Sequence, residues 1–327
     1  MTRSARLSGP AADLLRTASE RIVITGASGW IGRATLELLY NTLGAQPFAE
    51  RVFAFGSTSR VIDFRAATIQ QRPLPALLAL PCQPTLVAHL AFLTKDKVAG
   101  MDEAEYRRLN KGLRHTVLEA LDMIGATAAF VASSGAAELA AVPEASAAMR
   151  LYGALKKADE DAFAKWAVEH GQRVTIGRIF ALSGPHINKP ETYALASFIG
   201  DAIAGRPITI RADFPVYRSY VAIRELMSLV FATMLDETID VLRFSTGGER
   251  LEMQEIAQVV SETVGPVRIS RPTLKTGTLD EYVGNDAHYR QLLRKYGVDH
   301  VPFAEQVAET AASFEPKPHI KKRQTHA

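Results

Sequence analysis

Tyr152 and Lys156 stand four residues apart in the stretch Tyr152-Gly153-Ala154-Leu155-Lys156. On a helix this spacing puts a phenol and an ammonium on one face. A free tyrosine, with a pKa of about 10, is a poor base at neutral pH, but a nearby ammonium and the positive ring of a hydride acceptor favour its phenolate. Tuned in that way, Tyr152 takes a proton from an alcohol as hydride leaves, or returns it in the reverse reduction. Ser134, at the end of the preceding apolar run, supplies a hydroxyl to orient the reacting carbonyl or alcohol. A tyrosine and lysine at this spacing also occur as plain surface pairs, worth a few tenths of a kcal/mol at most (~0.3). The rest of the chain decides between the two.

Gly26, Gly29 and Gly32 form a GxxGxxG turn directly after the apolar run Arg21 to Thr25. A pyrophosphate meets free backbone N–H groups at such a strand-to-helix turn, and a Cβ there would block either the turn or the phosphates. Gly26, Ser28, Gly29, Trp30, Ile31 and Gly32 are therefore the expected cradle of a dinucleotide. The end of the second strand reads Gly56-Ser57-Thr58-Ser59-Arg60, without the carboxylate that would bond a ribose 2′-hydroxyl. Ser57 and Arg60 suit a 2′-phosphate, so NADP is preferred over NAD. Asp63 is the rival for an acidic role, and Arg60 as a solvated hairpin residue is the plainer alternative.

The elements that must position these groups follow from periodicity. Arg21 to Thr25, Arg51 to Phe55, Leu86 to Ala91, Ala128 to Ala132 and Val174 to Phe180 read as strands, and Arg60 to Phe64 with Thr68 to Arg72 as a hairpin. Ile31 to Leu43, Glu103 to Ile124 and Leu151 to His170 carry apolar residues at helical spacing, and Gly44 and Gly171 are fitting stops. The order β-α-β-β-α-β-α-β predicts an α/β fold, a doubly wound and mostly parallel Rossmann sheet with a smaller, mixed α/β C-terminal substrate lobe. The expected dinucleotide domain comprises 21–185 plus about 222–264, with helices near Ile223 to Leu235 and Met253 to Val264. The expected lobe comprises 186–221 plus 265–316, with 1–20 and 317–327 as flexible termini.

At 327 residues, 47% hydrophobic and 22% charged, the chain has the make-up of a soluble, enzyme-sized globule. A net charge of +3, partly from Lys317, Lys321, Lys322 and Arg323, gives no case for nucleic acid. Cys82 is the only cysteine, which excludes an internal disulfide and suits a reducing cytoplasm. Neither an export signal nor a membrane span is expected, and the eight histidines never cluster at metal-ligand spacing, so no metal is expected.

Taken together, Thr25-Gly26-Ala27-Ser28-Gly29-Trp30-Ile31-Gly32, His89-Leu90-Ala91, Asn110, Ser133-Ser134-Gly135, Tyr152-x-x-x-Lys156 and Arg178-Ile179-Phe180-x-x-x-Gly184-Pro185 resemble the NAD-dependent epimerase/dehydratase family, the extended short-chain dehydrogenases. The resemblance spans about residues 21 to 314. It implies that Leu90 and Ala91 line the cofactor and that Asn110 bends its helix near the active site. It further implies that Arg218, in Tyr217-Arg218-Ser219-Tyr220-Val221, contacts a substrate phosphate, and that helices 103 to 124 and 151 to 170 build a homodimer.

Departures from the family pattern narrow the chemistry. Sugar-nucleotide dehydratases of this family carry an Asp-Glu pair after the active-site hydroxyl residue, whereas Gly135 and Ala136 stand here, which argues against 4,6-dehydration. Ala181 replaces an asparagine that many members use on substrate phosphates, and Ile223-Arg224-Glu225-Leu226 stands where an Asp-rich sequence is common. The expected function is an NADP-dependent reductase of a keto-sugar nucleotide or similar carbonyl compound. An NAD-dependent nucleotide-sugar epimerase is the near alternative, and a non-catalytic dinucleotide-binding regulator the distant one. Thr94, Lys95 and Asp96 follow a strand's carboxyl end, where ligands collect; Thr94 and Lys95 are taken as substrate contacts. His89 reads as a packed core histidine, and His186 and Asn188 as solvated loop residues, with entry into the substrate pocket as the alternative.

Overall fold

The computed structural model describes residues 6–64, 67–94, 101–275 and 277–314. Their elements run α1 (Pro10–Thr17), β1 (Arg21–Thr25), α2 (Trp30–Leu43), α3 (Ala45–Arg51), β2 (Val52–Gly56), β3 (Arg60–Phe64), β4 (Ala67–Pro73), β5 (Thr85–His89), α4 (Glu103–Met123), β6 (Ala126–Ser134), α5 (Ala147–His170) and β7 (Arg173–Ile179). The second half adds β8 (Ala181–Ser183), α6 (Ala194–Ile203), β9 (Ile208–Thr209), β10 (Val216–Ala222), α7 (Ile223–Leu235), β11 (Val241–Ser245), β12 (Arg250–Glu252), α8 (Met253–Val264), β13 (Ile269–Ser270), β14 (Asp280–Tyr282), α9 (Asp286–Lys295) and α10 (Phe303–Ala311).

Eight strands form the main sheet in the order β11-β7-β6-β5-β1-β2-β4-β3. β1 and β5 are buried at every residue, as strands covered by helices on both faces must be. Only the edge strand β3 runs antiparallel, paired with β4 from Arg60↔Gln71 to Phe64↔Ala67. The hairpin expected from alternation is therefore present where a crossover helix would otherwise lie. Ile62 and Phe64 point inward while Val61 is 58% exposed, and Phe64, Phe48 of α3 and Tyr40 of α2 meet edge to face at 5.4–5.8 Å to hold it down.

Three segments differ from the residue-level expectation. Residues 10–17, placed in a flexible terminus, form α1, because Leu7, Ala11 and Leu15 make an apolar stripe that buries against α7 and α2. The stripe is short and interrupted by Pro10, which hides it in the sequence. The tail 317–327 lies outside the described residues. α8, assigned to the dinucleotide domain, instead buries Met253, Ile256, Ala257 and Val260 in a separate core with α6, α10 and β10. α9 goes the other way, placing Tyr289, Leu292 and Leu293 in the core under the main sheet.

The second lobe is built on β10, which pairs with β12, β14 and β8. β8 follows β7 after one residue, so the chain crosses directly from main sheet to lobe at Phe180. That crossing lies at the carboxyl ends of the parallel strands, where open α/β sheets bind ligands. No helix among the described residues is long and apolar enough to cross a membrane.

Candidate active site

The glycine turn joins β1 to α2 as the spacing predicts. Gly26 adopts φ +68, and a Cβ there would lie 2.7 Å from the backbone nitrogen of Ala91. At Gly32 a Cβ would lie 2.7 Å from the carbonyl oxygen of Ala27. Both positions thus require the missing side chain for close backbone packing. Leu90 and Ala91 form the facing wall, with the Leu90 amide donating to the Thr25 carbonyl and the Ala91 amide to Thr25 Oγ1. α2 begins at Gly29 with no side-chain cap and no acidic residue in its first turn. Its positive end, with Ser28, Trp30 and Ile31 around it, is left for an anion, and a dinucleotide pyrophosphate fits that cradle. Trp30 is anchored through Nε1, which donates to the Pro185 carbonyl.

On the far side of β1, Ser57 and Arg60 follow β2. Arg60 is exposed and donates from Nη2 to Thr58 Oγ1 at 2.9 Å. Asp63 turns its carbonyl, rather than its carboxylate, to Arg33. His89 at the end of β5 is buried, bonded to Thr25 Oγ1 at 2.9 Å and stacked on Phe163 at 5.0 Å. Burial and the nearby Lys156 and Arg114 cations push its pKa down to about 3. It is a neutral core residue.

Ser134, Tyr152 and Lys156 converge at the carboxyl end of β6. Ser134 ends the strand and caps the 3-10 turn Gly135–Leu139, its Oγ accepting from the Ala136 amide at 3.2 Å. α5 begins at Ala147, four residues ahead of the apolar pattern, because Ser146 caps it. This carries Tyr152 into the second turn, with its ring edge-on to Phe92 at 5.6 Å. Lys156 is buried, donates to the Ala132 carbonyl at 2.7 Å, and lies 3.7 Å from the centroid of the Phe92 ring.

The electrostatics differ from the simple expectation. Burial pushes the Tyr152 phenol well above its ordinary value, opposed chiefly by a hydrogen bond with Ser134. Burial pulls Lys156 down to about 8, against the attraction of Asp159 and Glu160. The ammonium is committed to Ala132 and Phe92, so the ligand-free pocket keeps the phenol protonated.

Backbone packing fixes the distance from sheet to phenol. A Cβ on Gly153 would fall inside the carbonyl oxygen of Ala136, and one on Gly135 would lie 2.6 Å from the Phe180 ring. Gly153→Ala is therefore expected to push α5 off the strand end. Overpacking of that kind costs about 1–3 kcal/mol, and a displacement of about 1 Å at the reacting groups lowers turnover on the order of 10²-fold. Urea unfolding and kcat together test this; unchanged values for both would refute the close approach. Beneath the site, buried Glu160 accepts from Ser133 Oγ at 2.5 Å and from Arg178 Nε and Nη2 at 2.9 and 2.8 Å.

Asn110 is buried on α4. Its Oδ1 accepts from the Leu93 amide at 2.8 Å and its Nδ2 donates to the Tyr106 carbonyl at 3.2 Å, tying α4 to the loop after β5. Thr94 is exposed at the end of that loop. Lys95 and Asp96 lie outside the described residues. Arg218 on β10 is held by Asp280 through Nη1 and Nη2 at 3.1 and 2.8 Å, so an incoming phosphate must share or displace that carboxylate. His186 is not a solvated loop residue: it pairs with buried Glu37 and has φ +68. Three contributors escaped the sequence reading, namely Phe92, Glu160 and Tyr282, whose hydroxyl lies 3.1 Å from Ser134 Oγ. Phe92 directly follows His89-Leu90-Ala91, which is the one local signal for any of them.

Residues 22–240 match the model of the NAD dependent epimerase/dehydratase family. MoeE5, solved with UDP-glucuronic acid and NAD, superposes with a TM-score of 0.68 at 19% identity, covering 90% of this chain and 98% of that one. The UDP-glucose 4-epimerase of Thermotoga maritima, solved with UDP-glucose, gives 0.69 at 18% identity over the same shares. UDP-glucuronic acid decarboxylase 5 of Arabidopsis thaliana is 26% identical over 98 residues, which is 30% of this chain and 28% of that protein's length.

Proposed function

Since the chain belongs to the NAD dependent epimerase/dehydratase family and is an NAD(P)-dependent enzyme of the short-chain dehydrogenase/reductase type, we propose that it reduces a keto-sugar nucleotide or similar carbonyl compound, with NADP preferred over NAD. The observation that carries this reading is the meeting of Ser134, Tyr152 and Lys156 at the carboxyl end of β6, in the sheet whose β1 leads into the uncapped start of α2, with no room at Gly135 for an acid or base of elimination. When bound, a nicotinamide dinucleotide supplies the hydride donor or acceptor. Tyr152 gives its phenolic proton to the carbonyl oxygen as that oxygen gains charge, and Ser134 donates a second hydrogen bond to it. Lys156, one helical turn on and held by the Ala132 carbonyl, brings a positive charge to the same strand end, and with the cofactor's charge it would support the phenolate left behind.

A second reading, an epimerase that keeps its cofactor, uses the same groups in both directions. It draws support from the Phe92 ring over Lys156, which keeps that ammonium at the strand end in either direction of transfer. Cofactor released from denatured protein, together with turnover of UDP- and dTDP-sugars followed by NADPH absorbance, separates them. Net consumption of NADPH with a keto-sugar nucleotide supports the reductase; bound NAD and interconversion without consumption support the epimerase. Failure to bind either dinucleotide would sink both.

For cofactor choice, Arg60→Ala is expected to weaken NADP by about 10- to 100-fold, the worth of a charged hydrogen bond, and to leave NAD within about twofold. Equal losses in titration calorimetry would refute the phosphate clamp. The substrate is proposed to be a nucleotide sugar, with Arg218, Thr94 and Lys95 as its contacts. The protein is proposed to act as a cytoplasmic homodimer through α4 and α5.

A further inference from the structure

Tyr282 ends β14 of the second lobe, yet its hydroxyl reaches the catalytic serine of the main sheet, 3.1 Å from Ser134 Oγ. Its ring is seated on Phe180 at a centroid distance of 4.7 Å, at the crossing between sheet and lobe. Burial raises the Tyr282 phenol above its ordinary value, so at neutral pH it is protonated and carries one donor.

A serine hydroxyl has one proton to give and two lone pairs to fill. At Ser134 the Ala136 amide fills one lone pair at 3.2 Å. If the Tyr282 hydroxyl fills the other, the single Ser134 proton has one direction left, towards the Tyr152 side, and Ser134 is the group that most opposes the raised pKa of that phenol. We propose that Tyr282 is a positioning residue for catalysis: by donating to Ser134 Oγ it leaves the serine proton only the Tyr152 side, where it serves the Tyr152 oxygen before substrate binds and the reacting oxygen afterwards, so that the second lobe sets the donor direction in the main-sheet site.

This inference rests on the hydride-transfer reading above and adds to it a residue of the second lobe that meets the site at Ser134. Loss of the Tyr282 oxygen should leave the dinucleotide cradle untouched, because nothing in the glycine turn contacts it. It should instead destabilise the Tyr152 phenolate, since Ser134 is then free to turn its proton elsewhere.

The test is the titration of Tyr152 in NADP-saturated protein, read as ultraviolet phenolate absorbance after subtracting the Tyr152→Phe background. Tyr282→Phe is expected to raise the Tyr152 pKa by about half a unit or more, the scale of one lost hydrogen bond to the charged form. Ser134→Ala should raise it as well, and the double variant should lie no higher than Ser134→Ala, because Tyr282 acts through the serine. An unchanged titration in a Tyr282→Phe protein that binds NADP normally overturns the inference and leaves the functional reading standing. Additive shifts overturn it too. So does a Tyr282→Phe protein that melts well below wild type or loses NADP affinity, which would assign the phenol to folding. If wild-type protein does not bind the dinucleotide at all, both fall together.

Discussion

A Tyr152→Phe protein is expected to bind NADP as tightly as wild type while transferring hydride about 10²- to 10⁴-fold more slowly, the usual worth of a positioned general acid or base. The change removes one oxygen from a ring already packed edge-on to Phe92, so the fold should tolerate it. The effect belongs in kcat, because the phenolic proton moves only as the reacting oxygen changes charge. The pH profile should carry the same signature. With no dinucleotide bound, burial holds the phenol well above its ordinary value, so the rate of alcohol oxidation in wild type should rise with pH until the bound, positively charged complex has lost the proton. In Tyr152→Phe that rise should be absent. Turnover within about tenfold of wild type, or an unaltered pH limb, would remove Tyr152 from the chemistry.

Lys156→Met should silence turnover and yet change stability in a pH-dependent way. Lys156 is buried and its pKa falls from 10.5 unfolded to about 8 folded. Between those two values the unfolded chain binds the proton that the folded chain has released. The contribution of this residue is therefore fully present above the unfolded pKa and is lost as pH falls through about 8. At neutral pH the ammonium weighs against folding by about 3 kcal/mol, less whatever the Ala132 hydrogen bond and the Phe92 contact return. Wild-type stability should climb between pH 8 and 9.5 relative to the variant, whose own curve lacks that climb. Denaturant midpoints at several pH values measure the difference, which also cancels the tyrosines that titrate above pH 10. A constant difference across the window would mean that Lys156 is not a buried cation.

How much of this was legible in the chain depends on how local the cause was. The strand at Arg21 to Thr25, the helices Ile223–Leu235 and Met253–Val264 and the hairpin from Arg60 onward follow from periodicity, which is written within ten or twenty residues. The glycine turn and the Tyr152, Lys156 spacing are local in the same sense. α1 was missed because its stripe is three residues long and is stabilised by elements more than a dozen residues away at the nearest, chiefly α7 and α2. α8 is legible as a helix, but periodicity tells which face is apolar and not what covers it, which here is α6, α10 and β10. Tyr282 illustrates the limit best. Its hydroxyl meets a serine 148 positions earlier in the chain, and nothing within either segment announces the meeting. His89 is the counterexample, a histidine whose apolar neighbours in sequence already implied a packed, neutral ring.

The ring of Phe180 closes one evolutionary route and leaves another open. A side chain at position 135 would strike that ring, and the ring has little room to swing aside because Tyr282 packs against it at a tilt and the backbone of Gly284 lies so near that a Cβ there would be 3.0 Å from it. An ancestor or descendant of this protein carrying an acidic pair after Ser134 must therefore have changed position 180 first or at the same time. Single-step libraries at 135 alone should yield only misfolded or idle variants, whereas libraries that shrink Phe180 beforehand open ground in which a carboxylate could be accommodated.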